Sequence, residues 1–210
     1  MRRPVRLAFV SGLAAAAGAA WLGGDAADRL SAYPDDPPPA HTGGFGEPTC
    51  RACHFGAELN APGAVLRIEG LPAAYRPGDA YDLSVVLSGE PLPRAGFELA
   101  ARFAGGAAHG AQAGELEAIG SDVAVTAAGT PTVLYAHQTL AGTDPDEPGV
   151  ARWRLRWRAP AGPRGDVAFH VSANVANDDA SAFGDAIYTD SAHIGVAVEK
   201  TSSHRGEPDA

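Results

Sequence analysis

Methionine is almost missing from this chain: of 210 residues one is Met, and it is Met1. A protein that loses its leader on export loses that residue with it, so no mature function can draw on a methionine thioether. Cysteine is nearly as scarce. The two residues, Cys50 and Cys53, are too few for a disulfide scaffold. Lysine occurs once, at Lys200, and the formal net charge is −9. No broad cationic face for nucleic acid or anionic lipid is expected from such a balance. What remains is 45% hydrophobic, enough to bury a real core in one or two domains.

The longest uncharged run lies at the N-terminus. Arg2, Arg3 and Arg6 precede an Ala- and Gly-rich stretch from Leu7 to Leu22, closed by Asp25 and Asp28. Residues 1–24 therefore read as a signal peptide, or as an N-terminal anchor if cleavage does not occur near Ala20. Cleavage there removes three arginines and takes the net charge from −9 to −12. The expected location is periplasmic or otherwise extracytoplasmic, with membrane contact only through an uncleaved leader. Residues 25–40, with Pro34, Pro37, Pro38 and Pro39 among Asp35 and Asp36, have neither helical nor strand periodicity and read as a Pro/Asp-rich linker.

From about residue 63 to 199 the texture is short alternating segments punctuated by Gly, Pro and Asp. Leu66 and Ile68 alternate with Arg67 and Glu69. Tyr81, Leu83, Val85 and Leu87 form one face of the next segment, and Phe97, Leu99, Ala101 and Phe103 one face of another. Further strands are expected at 115–119, 123–126, 132–138, 151–158, 167–174, 186–189 and 193–199. The fold class is therefore all-β, an immunoglobulin-like antiparallel sandwich of about seven to nine strands. Residues 200–210 form a polar tail. Within 152–158, Trp153, Leu155 and Trp157 point inward and Arg152, Arg154, Arg156 and Arg158 outward. That stripe is either the soluble outer face of a core strand or a dock for an acidic partner.

The most specific local signal is Cys50-Arg51-Ala52-Cys53-His54. Two thiols three residues apart can add across the two vinyl groups of haem, and the adjacent His can reach the iron, which is the c-type attachment pattern. Residues 41–62 are thus read as a haem-attachment loop ahead of the sandwich. The cofactor expected is one covalent haem c, with Cys50 and Cys53 holding it and His54 as proximal ligand. A redox-active C-x-x-C would want a thioredoxin-like βαβ setting, which this chain lacks. A plain exported disulfide, or a zinc site completed by distant His, stays open beside the haem reading.

A wider resemblance rests on five strings. They are His41-Thr42-Gly43-Gly44-Phe45-Gly46-Glu47-Pro48-Thr49 ahead of Cys50; Tyr75-Arg76-Pro77-Gly78-Asp79-Ala80-Tyr81; Arg94-Ala95-Gly96-Phe97-Glu98-Leu99; Asn174-Val175-Ala176-Asn177; and Gly184-Asp185-Ala186-Ile187-Tyr188-Thr189. In this order the chain resembles the bacterial Reeler-like domain proteins, also described as the choice-of-anchor V domain, over about 41–199. The resemblance implies an immunoglobulin-like sandwich and, for members with C-x-x-C-H in front of it, a covalent c-type haem. It implies no reaction.

With Met excluded, the sixth iron position falls to His41, His109, His137, His170, His193 or His204, or stays open. His137 is the candidate distal ligand, because it follows Val133 and Tyr135 on one strand face. A bis-His site predicts low-spin iron at a lower potential than His/Met ligation gives. Asn174, Asn177, Asp178, Asp179 and Asp185 could bind Ca²⁺ through oxygen, but their spacing follows no EF-hand and reads first as turns. No hydrolase elbow, phosphate loop or H-E-x-x-H is present, so an enzyme is not the expectation, an open-site haem peroxidase aside. The function expected is that of an exported monohaem protein passing electrons to a redox partner. The alternative is an extracytoplasmic ligand-binding or adhesion module with no redox role.

Overall fold

The structure is a computed structural model and describes residues 33–162 and 165–198. The leader at 1–24, the linker residues before 33 and the tail at 200–210 lie outside the described residues. Those described form eleven strands and three short 3-10 turns. The strands are β1 (Phe55–Gly56), β2 (Ala64–Glu69), β3 (Ala74–Tyr75), β4 (Ala80–Gly89), β5 (Arg94–Phe103), β6 (Glu115–Ala118), β7 (Val123–Ala128), β8 (Val133–Gln138), β9 (Val150–Arg158), β10 (Val167–Ala176) and β11 (Phe183–Val196).

Two sheets result. The larger runs β1-β11-β10-β5-β8-β7, with β3 also on β11, and the smaller runs β2-β4-β9-β6. All pairs are antiparallel except β1 and β3, which lie parallel to β11. The all-β sandwich expected from alternation is what forms. β1 and β3 add strands that two residues are too few to signal by period. One strand boundary differs from expectation: 186–189 and 193–199 are not separate strands but one continuous β11. Asp190 and Ser191, which read as a break, stay in register with β10, and the Asp190 carboxylate accepts the Ile68 N–H at 3.1 Å.

The core fills the space between the sheets from the inward positions of both. Trp153 and Trp157 of β9 meet Phe97 of β5 and Phe169 of β10, with centroids 4.6 Å apart in the Phe97–Trp153 stack and 5.0 Å in the edge contact of Trp157 with Phe169. Each indole also needs its N–H satisfied once buried. Trp153 donates to the Gly142 carbonyl and Trp157 to the Ala113 carbonyl, at 2.7 and 2.8 Å. Truncating either to Ala removes a large buried ring at a cost of about 3–5 kcal/mol.

The strand period of two sends the intervening residues to the other face. On the large sheet that outer face carries Glu98 and Arg102 of β5, His170, Ser172 and Asn174 of β10, Tyr135 and His137 of β8, and Asp185 of β11. Register pairs Glu98 with Ser172 on one side and His137 on the other. This polar face is roofed by the segment leading to β1. The segment doubles back as a tight hairpin, with Thr42 bridged to Thr49 and the Gly43 N–H donating to the Pro48 carbonyl at 2.8 Å. Gly44 lies so close to the sheet that a Cβ there would sit 2.4 Å from the His170 ring. Only glycine permits that approach.

Candidate functional site

The roof is pinned at several points. Glu47 at the hairpin tip accepts from the Tyr135 hydroxyl at 2.6 Å and from Arg102 at 2.7 Å with one oxygen, and from the Thr42 hydroxyl at 2.6 Å with the other. Phe45 lies against Arg102, His109 and His170. Buried charge-assisted bonds of this kind are strong because little water competes for them. The hairpin thus delivers Cys50 to a fixed place on the sheet.

Cys50 opens a 3-10 turn, Cys50–Ala52, capped by the Thr49 hydroxyl, which accepts from the Arg51 N–H. The Cys50 N–H donates to the Ser172 hydroxyl at 3.2 Å. Burial pushes the Cys50 thiol up to about 12; the Ser172 hydroxyl opposes the rise and the Glu98 carboxylate adds to it. Such a sulfur stays protonated at neutral pH. Dithiol exchange needs a thiolate, so the folded site does not favour it. Among the described residues, no three His, Cys, Asp or Glu side chains gather as a metal ion would require.

His54 follows the turn and is fixed by its Nδ1. That nitrogen stands 2.5 Å from an oxygen of Asp185, whose side chain is fully buried. A carboxylate can only accept, so this short contact puts a hydrogen on Nδ1, and in the neutral ring Nε2 keeps its lone pair; the Asn174 amide nitrogen, 3.0 Å from the same Nδ1, then has only Asp185 to donate to. Asp185 is held in turn by the Asn174 amide at 3.3 Å and the Asn177 N–H at 3.2 Å. The oxygen of Asn174 is buried with no partner in the protein.

Cys50, Cys53 and His54 all border one cavity of about 380 Å³, within the size range of cofactor and small-molecule sites. Its wall is mostly apolar. Pro34, Pro37 and Pro38 contribute from the linker, and Phe97 and Ala176 from the sheet. Polar side chains border it as well, among them His41, Glu98, Gln138, Asn174, Arg94, Thr143, Asp178, Asp179 and Ser181. Glu98 is 2% exposed. Burial pushes its carboxyl up to about 7, against the His41 N–H that it accepts at 2.7 Å and with Glu47 adding to the rise. Arg94 bonds Asp144 and Asp178.

The structure brings Cys50, Cys53 and His54 together and leaves His137 apart. His137 does share the outer face, but its ring is buried and both nitrogens are used. Nδ1 lies 2.9 Å from the Gln138 carbonyl and Nε2 2.9 Å from the Thr126 hydroxyl. It does not border the cavity, so the distal-ligand expectation for His137 is not supported by its position. Strand alternation gave the face correctly but not the column. His137 stands one strand beyond Glu98, over β7. His109, His170 and His193 also lie away from the cavity, and His204 is outside the described residues. His41 is at the cavity. Asp185 was read as part of a turn or a Ca²⁺ cluster, and it is instead the buried partner of His54. The turn itself is built by Asn177 and Asp179, whose side chains accept the N–H of Asp179 and Ser181. Glu98 has a sequence signal of its own, a carboxylate set between the inward Phe97 and Leu99 of β5.

No family model matches the sequence, and no curated protein matches it. Solved structures do. The chain is similar to the Reelin-N domain of F-spondin, with 22% identity and a TM-score of 0.44, over 71% of this chain and 96% of that one. It is similar to the human F-spondin reeler domain at 23% identity and a TM-score of 0.41, over 68% and 95%. A cohesin module of a Clostridium perfringens family 33 glycoside hydrolase is similar at 11% identity and a TM-score of 0.40, over 64% and 95%. The likeness is one of fold, to reeler domains among others, and brings no activity with it.

Proposed function

We propose that this chain is an extracytoplasmic β-sandwich module that carries one c-type haem and passes electrons to a redox partner. The observation that supports this most is the convergence of Cys50, Cys53 and His54 on one mostly apolar cavity of about 380 Å³. The residues fit the group. Both sulfurs are at the cavity, Nε2 of His54 keeps its lone pair because Asp185 occupies Nδ1, and a thioether needs no thiolate in the folded state. Each thiol would add across one vinyl group, forming a C–S bond while the thiol hydrogen goes to the other vinyl carbon. No oxidant is consumed. The haem would supply one-electron chemistry at its iron. The protein's part is to fix His54, shield the cofactor with Pro34, Pro37, Pro38 and Phe97, and exclude water.

A second reading rests on the same cavity. A mostly apolar wall interspersed with polar groups also suits a non-covalent ligand, which would make the chain an extracytoplasmic binding or adhesion module without redox function. Expression with haem-attachment machinery separates the two. Haem that stays on the chain after denaturation, and is lost in the Cys50→Ala, Cys53→Ala double variant, is the result expected. Wild-type protein free of covalent haem would overturn the first reading in favour of the second.

A further inference from the structure

We infer that His41 supplies the second axial ligand, closing the iron site as a bis-histidine centre built for electron transfer rather than for reaction with small molecules at an open position. The inference rests on the haem reading above and adds to it the residue that decides between carrier and enzyme.

Placement comes first. Besides His54, His41 is the one histidine at the cavity among the described residues. The hairpin explains why. Thr42 and Thr49 are bridged, so His41, just before one, and Cys50, just after the other, emerge from the same end of the hairpin. A sequence separation of thirteen residues from His54 is thereby folded into one site.

The ring chemistry agrees. Nδ1 of His41 lies 2.9 Å from the Pro38 carbonyl. A carbonyl can only accept, so Nδ1 carries the hydrogen and Nε2 keeps its lone pair. His54 is prepared in the same way by Asp185. Tying one ring nitrogen to a carbonyl or carboxylate is how ligating histidines are oriented and made more basic. The backbone is anchored as well, since the His41 N–H donates to the buried carboxylate of Glu98 at 2.7 Å. Among the described residues the other histidines do not border the cavity. Both ring nitrogens of His137 have partners, and His109 and His170 pack on Phe45. With the one Met at position 1, no thioether competes.

The test uses the full chain matured with covalent haem, read by visible absorption and electron paramagnetic resonance. The wild type is expected to be low-spin in the oxidised state and, once reduced, to bind CO slowly or not at all. His41→Ala should keep its covalent haem, turn high-spin and bind CO readily, and added imidazole should restore the low-spin spectrum. His41→Met, which keeps a ligand at the position, should stay low-spin at a raised potential. His137→Ala should keep the wild-type spectrum. Covalent haem with a low-spin spectrum unchanged in His41→Ala and no rise in potential in His41→Met would overturn this inference alone. A high-spin wild type would do the same. A chain that attaches no haem overturns the parent reading, and this one with it.

Discussion

The outer faces of the two sheets are both lined with polar side chains, and only one of them is covered. On the small sheet Arg152 pairs with Glu69 at 2.9 Å, Arg156 with Asp82 at 2.7 Å and Arg158 with Glu115 at 3.8 Å, each side chain at least a third exposed. On the large sheet Glu98, His137, Gln138, Ser172, Asn174 and Asp185 are all buried. Water satisfies the first face at no structural cost. On the second, each polar group must find a partner in the protein or lose the free energy of its hydration. Polar residues kept where burial penalises them mark a face shaped for more than solubility, and that is the face the cavity occupies.

The largest expected effect of a single substitution on the covered face is at Asp185. Asp185→Ala removes the acceptor of the His54 ring, the Asn174 amide and the Asn177 N–H together. Leaving buried donors unmatched should cost about 3 kcal/mol or more in urea denaturation. Asp185→Asn keeps the volume and should cost less. Equal, small losses in both variants would mean that this face behaves like the exposed one.

Glu47→Gln comes next. It leaves Arg102 facing a neutral amide, and the Arg102 Nε is already buried without a partner. A loss of about 2 kcal/mol is expected, together with faster proteolysis between residues 41 and 54 as the hairpin loosens. A stable but protease-sensitive variant would show that the ion pair holds the roof rather than the sandwich.

A pH effect separates the faces further. Burial first, and the neighbouring His193 second, hold His170 below the usual histidine value, with Arg102 lowering it further and Glu47 opposing. The folded state therefore binds this proton less tightly than the unfolded chain. Its contribution is complete above about pH 6.5 and is lost as pH falls from there through the depressed folded value. His170→Gln should flatten the part of the stability curve below about pH 6.5 that belongs to this residue. An unchanged slope would place the acid sensitivity elsewhere.

Much of this was legible in the sequence, for reasons that differ by residue. Trp153, Leu155 and Trp157 announce β9 because alternation reports which side of a strand faces the core. In the structure the same period sends Glu98, His137 and Ser172 to the outer face. What period cannot report is whether a second segment will cover that face, or which column of it. Cys50, Cys53 and His54 were readable because their chemistry needs a fixed local spacing. His54 and Asp185 are 131 residues apart, and His41 reaches the cavity only through the Thr42–Thr49 bridge. Contacts of that kind belong to the tertiary fold and leave no local pattern.

The smallest effect is expected on the uncovered face. Arg156 makes two bonds to Asp82, at 2.7 and 3.1 Å, and their mutual stabilisation lowers the carboxyl and raises the guanidinium. Geometry alone would rank this pair with Glu47 and Arg102. Solvent decides otherwise: an exposed pair gives up hydration and side-chain freedom for most of what it gains, and salt screens the remainder. Arg156→Ala, Asp82→Ala and the double variant should therefore show unfolding midpoints close to wild type at moderate ionic strength, with little coupling in the double-mutant cycle. The corresponding cycle of Glu47→Gln with Arg102→Met should show strong coupling. Comparable coupling in the two cycles would mean that cover, the feature distinguishing these faces, does not set the strength of their polar contacts.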